Sequence, residues 1–488
     1  MEVLANLEPK NVMHWFEFVC SYPHGSLKEE KLAAAIMDFA RSKGLECKED
    51  AWHNVLVRKP ASPGYEDKAP VLLQAHIDMI WAKEKGVDFD FETQGLNLYI
   101  DGDKVRARGT TLGADDGIGA AFMLAVLDDD TLEHPPIEAV FTAAEEIGMV
   151  GAIHFDKSQL TAKRMINFDA GGFTEGRIYV GCAGIMRAMI RQQAERVPFT
   201  PAGHQPVQIV VGGLKGGHPG GDVGKGRGNA TQMMGRILRQ LLAMEGVEVS
   251  HAESADFSQD NKYSMPIDAR ILACAKDVDA VTAAMASLQA TLRDELSDVD
   301  EGVTITVTQT GEVPAQVLSR STVETMTRIV ALLPNGVQSM QRLFPDTPEC
   351  SATACRVEWD GDTVTYYSSV RSCKDSLLTE MGVKYQTIAA LNGCEAELSD
   401  PLPGWDYDKN SHIRQLVEAE YVREFGREPR FKVTHAGTEC SQFKKDMPDL
   451  DIISMGPIIY EEHTPKEYLG IPSVGVLWTF LKNILRQL

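Results

Sequence analysis

Apolar residues recur along the chain in two rhythms, a helical one and short continuous runs. Over residues 32–40 the spacing predicts an amphipathic helix, with Ser26 and Glu29 three apart as a capping box before it and Gly44 as its stop. Residues 71–75 form a compact run of strand length, 118–127 predict a helix, and 137–142 and 165–168 predict two more strands. Near the C-terminus residues 451–455 predict another strand and 472–488 a closing helix. Strands that alternate with helices predict a mostly parallel sheet with helices on both faces.

The middle of the chain carries a different order. From Val207 the pattern predicts a strand, a helix over 230–244, strands over 247–251 and 265–275, a helix over 278–296 and a strand over 303–309. A second pass predicts a helix over 323–333, strands over 352–359 and 363–370 joined at Asp360-Gly361, a helix over 376–391 and a strand over 395–399. Each pass resembles a split βαβ unit. The expected architecture is α/β: a catalytic domain in two sequence pieces, 1–186 and 400–488, with a two-part α+β domain inserted at 187–399.

Composition narrows the function classes. The 488 residues, 43% hydrophobic and 24% charged, suit a soluble chain of about two to four domains at roughly 150 residues each. Lys plus Arg number 48 against 70 Asp plus Glu, so the net charge is −22. That balance argues against nucleic acid or an anionic membrane as partner, since phosphate binders need positive charge at the contact, and it leaves metal cations and small zwitterions open. The first residues lack a basic stretch followed by an apolar core, and no run reaches ~20 apolar residues, so neither a secretory signal nor a membrane span is expected. Nine cysteines, with no C-x-x-C pair, predict reduced thiols in a cytoplasmic protein.

The ends of the predicted strands concentrate the chemistry. The run 71–75 leads into His76-Ile77-Asp78, 137–142 into Glu145-Glu146 and 165–168 into Asp169, while 451–455 is followed by His463 and the helix at 118 is preceded by Asp115-Asp116. Ligands of open parallel sheets bind outside the carboxyl ends of the strands. Five segments thus deliver carboxylates and imidazoles to one edge, and so many negative charges repel one another unless cations compensate them. Nitrogen and oxygen donors without sulfur suit zinc, cobalt or manganese at a hydrolytic centre. A pair of such ions about 3.5–4 Å apart would activate a shared water and polarise a carbonyl. His76 and Asp78, at i and i+2 of an extended segment, lie on one side, so Asp78 is expected to orient the imidazole. Of the adjacent Glu145 and Glu146, one can ligate while the other serves as general base.

Eight short stretches together resemble the aminoacyl-histidine dipeptidases, also called cytosol non-specific or carnosinase-like dipeptidases, of the clan that includes carboxypeptidase G. They are residues 74–79, 109–117, 145–149, 167–169, 181–184, 215–218, 435–440 and 463–465, in order along nearly the whole chain. The resemblance implies a zinc-peptidase-like fold whose inserted domain is a lid and dimerisation element. It implies a di-zinc centre with His76 and Asp169 on one ion, Glu146 and His463 on the other, Asp115 bridging, Glu145 as general base and Asp78 orienting His76. It further implies a dipeptide substrate, a homodimer, His218 as donor to the oxyanion, Arg371 as clamp for the substrate carboxylate and Gly437 as a substrate contact.

The glycine-dense stretch 212–228 is not a phosphate-binding loop, because Pro219 occupies its first glycine position and Gly226 follows Lys225. His435 reads equally well as a structural histidine. The chain departs from the family at Tyr263-Ser264-Met265-Pro266-Ile267, where Asn-x-Ile-Pro-Arg is usual, and at Gly184-Ile185, where Gly-Gly is usual. Neither a G-x-S-x-G elbow nor an H-E-x-x-H helix occurs. The expected activity is hydrolysis of unblocked dipeptides, including Xaa-His. An N-acyl-amino-acid deacylase and a non-catalytic metal or peptide binder are the alternatives.

Overall fold

The computed structural model describes residues 3–258, 261–311 and 313–488. Two units make up the chain. The first takes the residues up to Cys182 together with Trp405–Thr434 and Thr438–Leu488, and the second takes Ala183–Gly404 with His435–Gly437. The sequence pattern put these cuts at 186/187 and 399/400. The first of those falls inside a strand, Gly184–Gln193, that the apolar pattern did not reveal.

The first unit is built on an eight-stranded mixed sheet. Its strands are β1 (Glu46–Glu49), β2 (Val55–Lys59), β3 (Val71–His76), β4 (Ile137–Thr142), β5 (Arg164–Asn167), β6 (Arg177–Cys182), β7 (Arg430–Thr434) and β8 (Asp451–Ser454), in the order β1-β2-β4-β3-β5-β8-β6-β7. The four at the centre, β4, β3, β5 and β8, run parallel. β3 and β4 are buried at every position, which is why they read as continuous runs rather than alternating ones. The expected α/β class is the one found. The helix Ala114–Asp128 packs on β3 and on the helix Lys10–Cys20 and is buried almost all round. A Cβ at Gly119 would stand 2.6 Å from the Cβ of Phe168, so only glycine permits this approach. A small sheet of Leu98–Asp101, Lys104–Ala107, Ile459–Tyr460 and Tyr468–Gly470 was not expected from the pattern.

The expected capping box is not formed. The helix runs Glu30–Ser42 without a side-chain cap; Ser26 Oγ donates instead to Asp78 Oδ2 at 2.7 Å, and Glu29 Oε1 accepts from the amides of Leu27 (3.0 Å) and Ala144 (2.9 Å). A buried carboxylate at Asp78 needs donors, and that demand outweighs a local cap.

The second unit holds one continuous antiparallel sheet. It runs in the order Thr304–Gln309, Gln205–Gly212, Asp268–Ala275, Val247–Ala255, Pro348–Asp360, Thr363–Ser372, Gly184–Gln193 and Glu395–Leu398, with Gly336–Met340 beside Pro348–Asp360. Helices Ala230–Leu242, Val278–Glu295, Arg320–Leu332 and Asp375–Leu391 bury their apolar residues in its core. Among the described residues no helix is long and apolar enough to cross a membrane. Among the described residues no cysteine is joined in a disulfide.

Candidate metal centre

The parallel strands deliver the predicted residues to one edge of the first unit. His76 is the last residue of β3; Asp169 follows β5, Glu145 and Glu146 follow β4, and His463 lies on the segment after β8. Asp115 and Asp116 belong to the first turn of helix Ala114–Asp128, but their backbones are not helical (φ −82°, ψ 108° and φ −109°, ψ 31°). Asp115 is therefore aimed independently of the helix that follows it.

Asp115 stands between two imidazoles. Its Oδ1 lies 3.3 Å from His76 Nε2 and its Oδ2 lies 3.4 Å from His463 Nε2, while His463 Nε2 is 2.9 Å from Glu146 Oε1. Ligating atoms of His76, Asp115 and Glu146 all fall within 4.8 Å of one another. His463 is held at φ 62°, a left-handed conformation uncommon for a non-glycine residue and characteristic of functional sites.

The orientation of His76 is shared between two groups of one residue. Its Nδ1 donates to the backbone carbonyl of Asp78 at 3.0 Å, with the Asp78 carboxylate 3.4 Å away. A carbonyl only accepts, so Nδ1 keeps its proton and Nε2 is the ring nitrogen left to ligate. The Asp78 carboxylate also accepts from the amides of Glu145 (2.9 Å) and Glu146 (3.2 Å), so one buried side chain reaches both the first imidazole and the Glu-Glu turn.

Negative charge dominates the cluster. Burial, with Asp169, Glu439 and Glu146 as negative neighbours, pushes the Glu145 carboxyl well above its ordinary range. Burial and the charge of Asp115 push Asp169 up to about 7. Hydrogen bonds to Asp115 and Glu146 raise His463 to about 11; for His76, burial opposes the charged form but the partners Asp115 and Asp78 outweigh it. Asp116 is buried with both carboxyl oxygens lacking a hydrogen bond, as is Oε1 of Glu439. Six carboxyls, Asp115, Asp116, Glu145, Glu146, Asp169 and Glu439, thus face two imidazoles. Such an excess fits a centre completed by divalent cations.

Glu439 escaped the sequence reading. Its Oε2 accepts from Gln74 Nε2 (2.6 Å) and Thr142 Oγ1 (2.7 Å). Gln74 Oε1 accepts in turn from Asn167 Nδ2 (2.7 Å), and Asn167 Oδ1 from Ser454 Oγ (2.6 Å). This buried chain crosses β4, β3, β5 and β8, with Gln74 and Asn167 two residues before His76 and Asp169. The one signal in the sequence was a polar residue within or closing each strand: Gln74 inside β3, and Thr142, Asn167 and Ser454 at the ends of β4, β5 and β8.

The predicted substrate residues lie in the second unit. Arg371 is only 8% exposed and its Nε has no hydrogen bond, while Nη1 donates to the His435 carbonyl at 3.4 Å. His218 Nδ1 accepts from the amides of Gly220 (3.2 Å) and Gly221 (3.1 Å), which leaves its proton on Nε2, 3.5 Å from Arg371 Nη2. His435 contacts Ser351 Oγ through Nε2 at 2.7 Å; burial and Arg371 lower it to about 4, so it is neutral. Gly437 is half-buried two residues further on. The Tyr263 ring lies under the Arg187 guanidinium at 4.7 Å and meets Tyr367 edge-on at 5.7 Å.

The profile of peptidase family M20/M25/M40 matches residues 72–487. The chain belongs to this family. It is 35% identical to the cytosol non-specific dipeptidase of Escherichia coli (strain K12), over 100% of this chain and 99% of that protein. The crystal structure of aminoacylhistidine dipeptidase from Vibrio alginolyticus matches with a TM-score of 0.88 at 33% identity, covering 99% of this chain and 98% of that one. Aminopeptidase PepT from Bacillus cereus shares the fold at 16% identity, with a TM-score of 0.58 over 99% of both chains. As a family member the chain is a peptidase, hence a hydrolase, as the resemblance in its motifs implied.

Proposed function

We propose that this M20 peptidase is a cytoplasmic dipeptidase that hydrolyses unblocked dipeptides, including Xaa-His, at a centre of two divalent ions. The observation that carries the reading is the position of Asp115, one oxygen toward His76 and the other toward His463, as a bridging carboxylate requires. Full-length similarity to proteins named as dipeptidases supports the substrate class. His76 and Asp169 would hold one ion, Glu146 and His463 the other, with Asp115 shared; zinc suits these donors, as do cobalt and manganese. When bound, the ions lower the pKa of water and polarise the scissile carbonyl.

The side chains supply the proton traffic and the orientation. Glu145 takes a proton from the attacking water and passes it to the leaving amine, a role suited to a carboxyl whose basicity burial has raised. Asp78 keeps His76 and the Glu145–Glu146 turn in place through the bonds described. His218, its proton on Nε2, donates to the oxyanion, and Arg371 takes the substrate's free carboxylate. Two donors 3.5 Å apart cannot satisfy each other, so each is left to take an anionic group of the substrate. Gly437 offers backbone to the substrate, and the second unit serves as lid and dimerisation element in a homodimer.

The test is a substrate panel on purified protein after chelation and reloading. Ala-His and other free dipeptides should be cleaved, cleavage should vanish with chelator and return with zinc, cobalt or manganese, and light scattering should give a dimer. Turnover of N-acetyl amino acids alone would replace the reading with a deacylase. Two bound equivalents without any turnover would make the protein a binder.

A further inference from the structure

His463 and Asp115 approach each other from segments far apart in sequence, and a third residue ties those segments together. Glu467, four residues after His463, is 3% exposed and uses both carboxylate oxygens. Oε2 accepts from the amides of Leu112 (2.8 Å) and Gly113 (3.0 Å), and Oε1 from those of Ala114 (2.8 Å) and Asp115 (3.4 Å). Four consecutive amides converge on one carboxylate because Gly113, at φ 66°, turns the backbone into a concave row of N–H groups. A Cβ at Gly113 would also meet the Met79 sulfur at 2.8 Å, so a larger residue would be strained in φ and would have to displace that side chain.

These amides run into the helix Ala114–Asp128, whose first turn leaves N–H groups unpaired, so a carboxylate here acts partly as a helix cap. The geometry asks for more than a cap. Asp115 has left helical φ/ψ, and its aim is set by the backbone on either side of it. One of those sides is the row held by Glu467, on the segment that also carries His463.

We infer that Glu467 is a positioning residue of the metal centre, fixing Asp115 against His463 by clamping the amides of residues 112–115. The inference rests on the proposed two-ion reading. Residues that orient metal ligands from behind typically change metal affinity or activity about 10–100-fold when replaced. Glu467→Gln keeps the volume but turns one acceptor into a donor that faces amide donors.

The experiment is zinc binding to the full-length chain by chelator competition, with melting temperatures in the metal-free and zinc-loaded states. Glu467→Gln should bind at least one of two zinc equivalents about 10–100-fold more weakly, and the stabilisation by zinc should shrink. Glu467→Asp, which keeps the charge but shortens the reach, should fall between it and the parent. Wild-type zinc affinity in both variants, with equal losses of melting temperature in both metal states, would reduce Glu467 to a helix cap and overturn the inference. A further arm needs no variant: zinc should raise amide-exchange protection of 112–115 and 463–467 together, and protection of one segment alone overturns the coupling. Failure of the parent itself to take up zinc would instead sink the two-ion reading, and this inference with it.

Discussion

A carboxyl group buried among other carboxyls changes the pH dependence of folding, and the sign can be worked out. Asp169 and Glu439 are both pushed up to about 7, by burial in the first place. Raised carboxyls contribute stability that is complete below their unfolded pKa of about 4 and lost as the pH rises through about 7. Melting temperatures of the metal-free protein should therefore fall between about pH 4 and 7. Divalent cations, which favour the ionised form, should stabilise far more at pH 8 than at pH 5, as calorimetry with and without chelator would show. At the same scale, Glu145→Ala should keep its metal content, measured by atomic emission, while kcat falls about a hundred- to ten-thousand-fold. Near-normal turnover in that variant would remove Glu145 from the mechanism.

Elements contribute through where they end. β3, β4 and β5 are parallel neighbours in register, so Gln74 lies opposite Val140 on one side and Asn167 on the other. This register lets Gln74 link Glu439 to Asn167 just beneath the proposed ligands. Gln74→Leu leaves a buried carboxylate and a buried amide short of a partner. It should cost about 1–3 kcal/mol in urea unfolding of the zinc-loaded protein. A change within a few tenths of that scale would show that the chain of side chains carries no stability.

At the scale of the whole molecule, the second unit has a buried guanidinium whose Nε lacks a hydrogen bond, and the proposed reaction supplies a carboxylate for it. Arg371→Ala should lower kcat/KM for free dipeptides about 10–100-fold, since a hydrogen bond to a charged group is worth roughly 1.5–3 kcal/mol. The same variant should lose discrimination against C-terminally amidated dipeptides and bind zinc as the parent does. Unchanged discrimination would assign the substrate carboxylate to another group.

How much of this was legible without the fold depends on the range of each interaction. His76, Asp169 and the Glu145-Glu146 pair sit within a few residues of buried strands, and a parallel sheet sends the carboxyl ends of its strands to one edge; local order along the chain therefore determined these candidates and the α/β class. Gly184–Gln193 was not legible because apolar Ile185 and Met189 take its more exposed positions and polar Gln192 a buried one, which blurs the alternation, and the small four-stranded sheet because its strands are only two to four residues long. Ser26 beside Glu29 predicted a cap, yet Asp78, remote in sequence, draws its hydroxyl away. Nothing in the local sequence sets Glu439 and Glu467 apart; folding brings Gln74 and Thr142 against the first and the amides of 112–115 against the second. Sequence determined which chemical groups the protein has and which strand ends present them. Tertiary structure alone decided which group faces which, because hydrogen bonds between residues hundreds of positions apart leave no period in the chain to read.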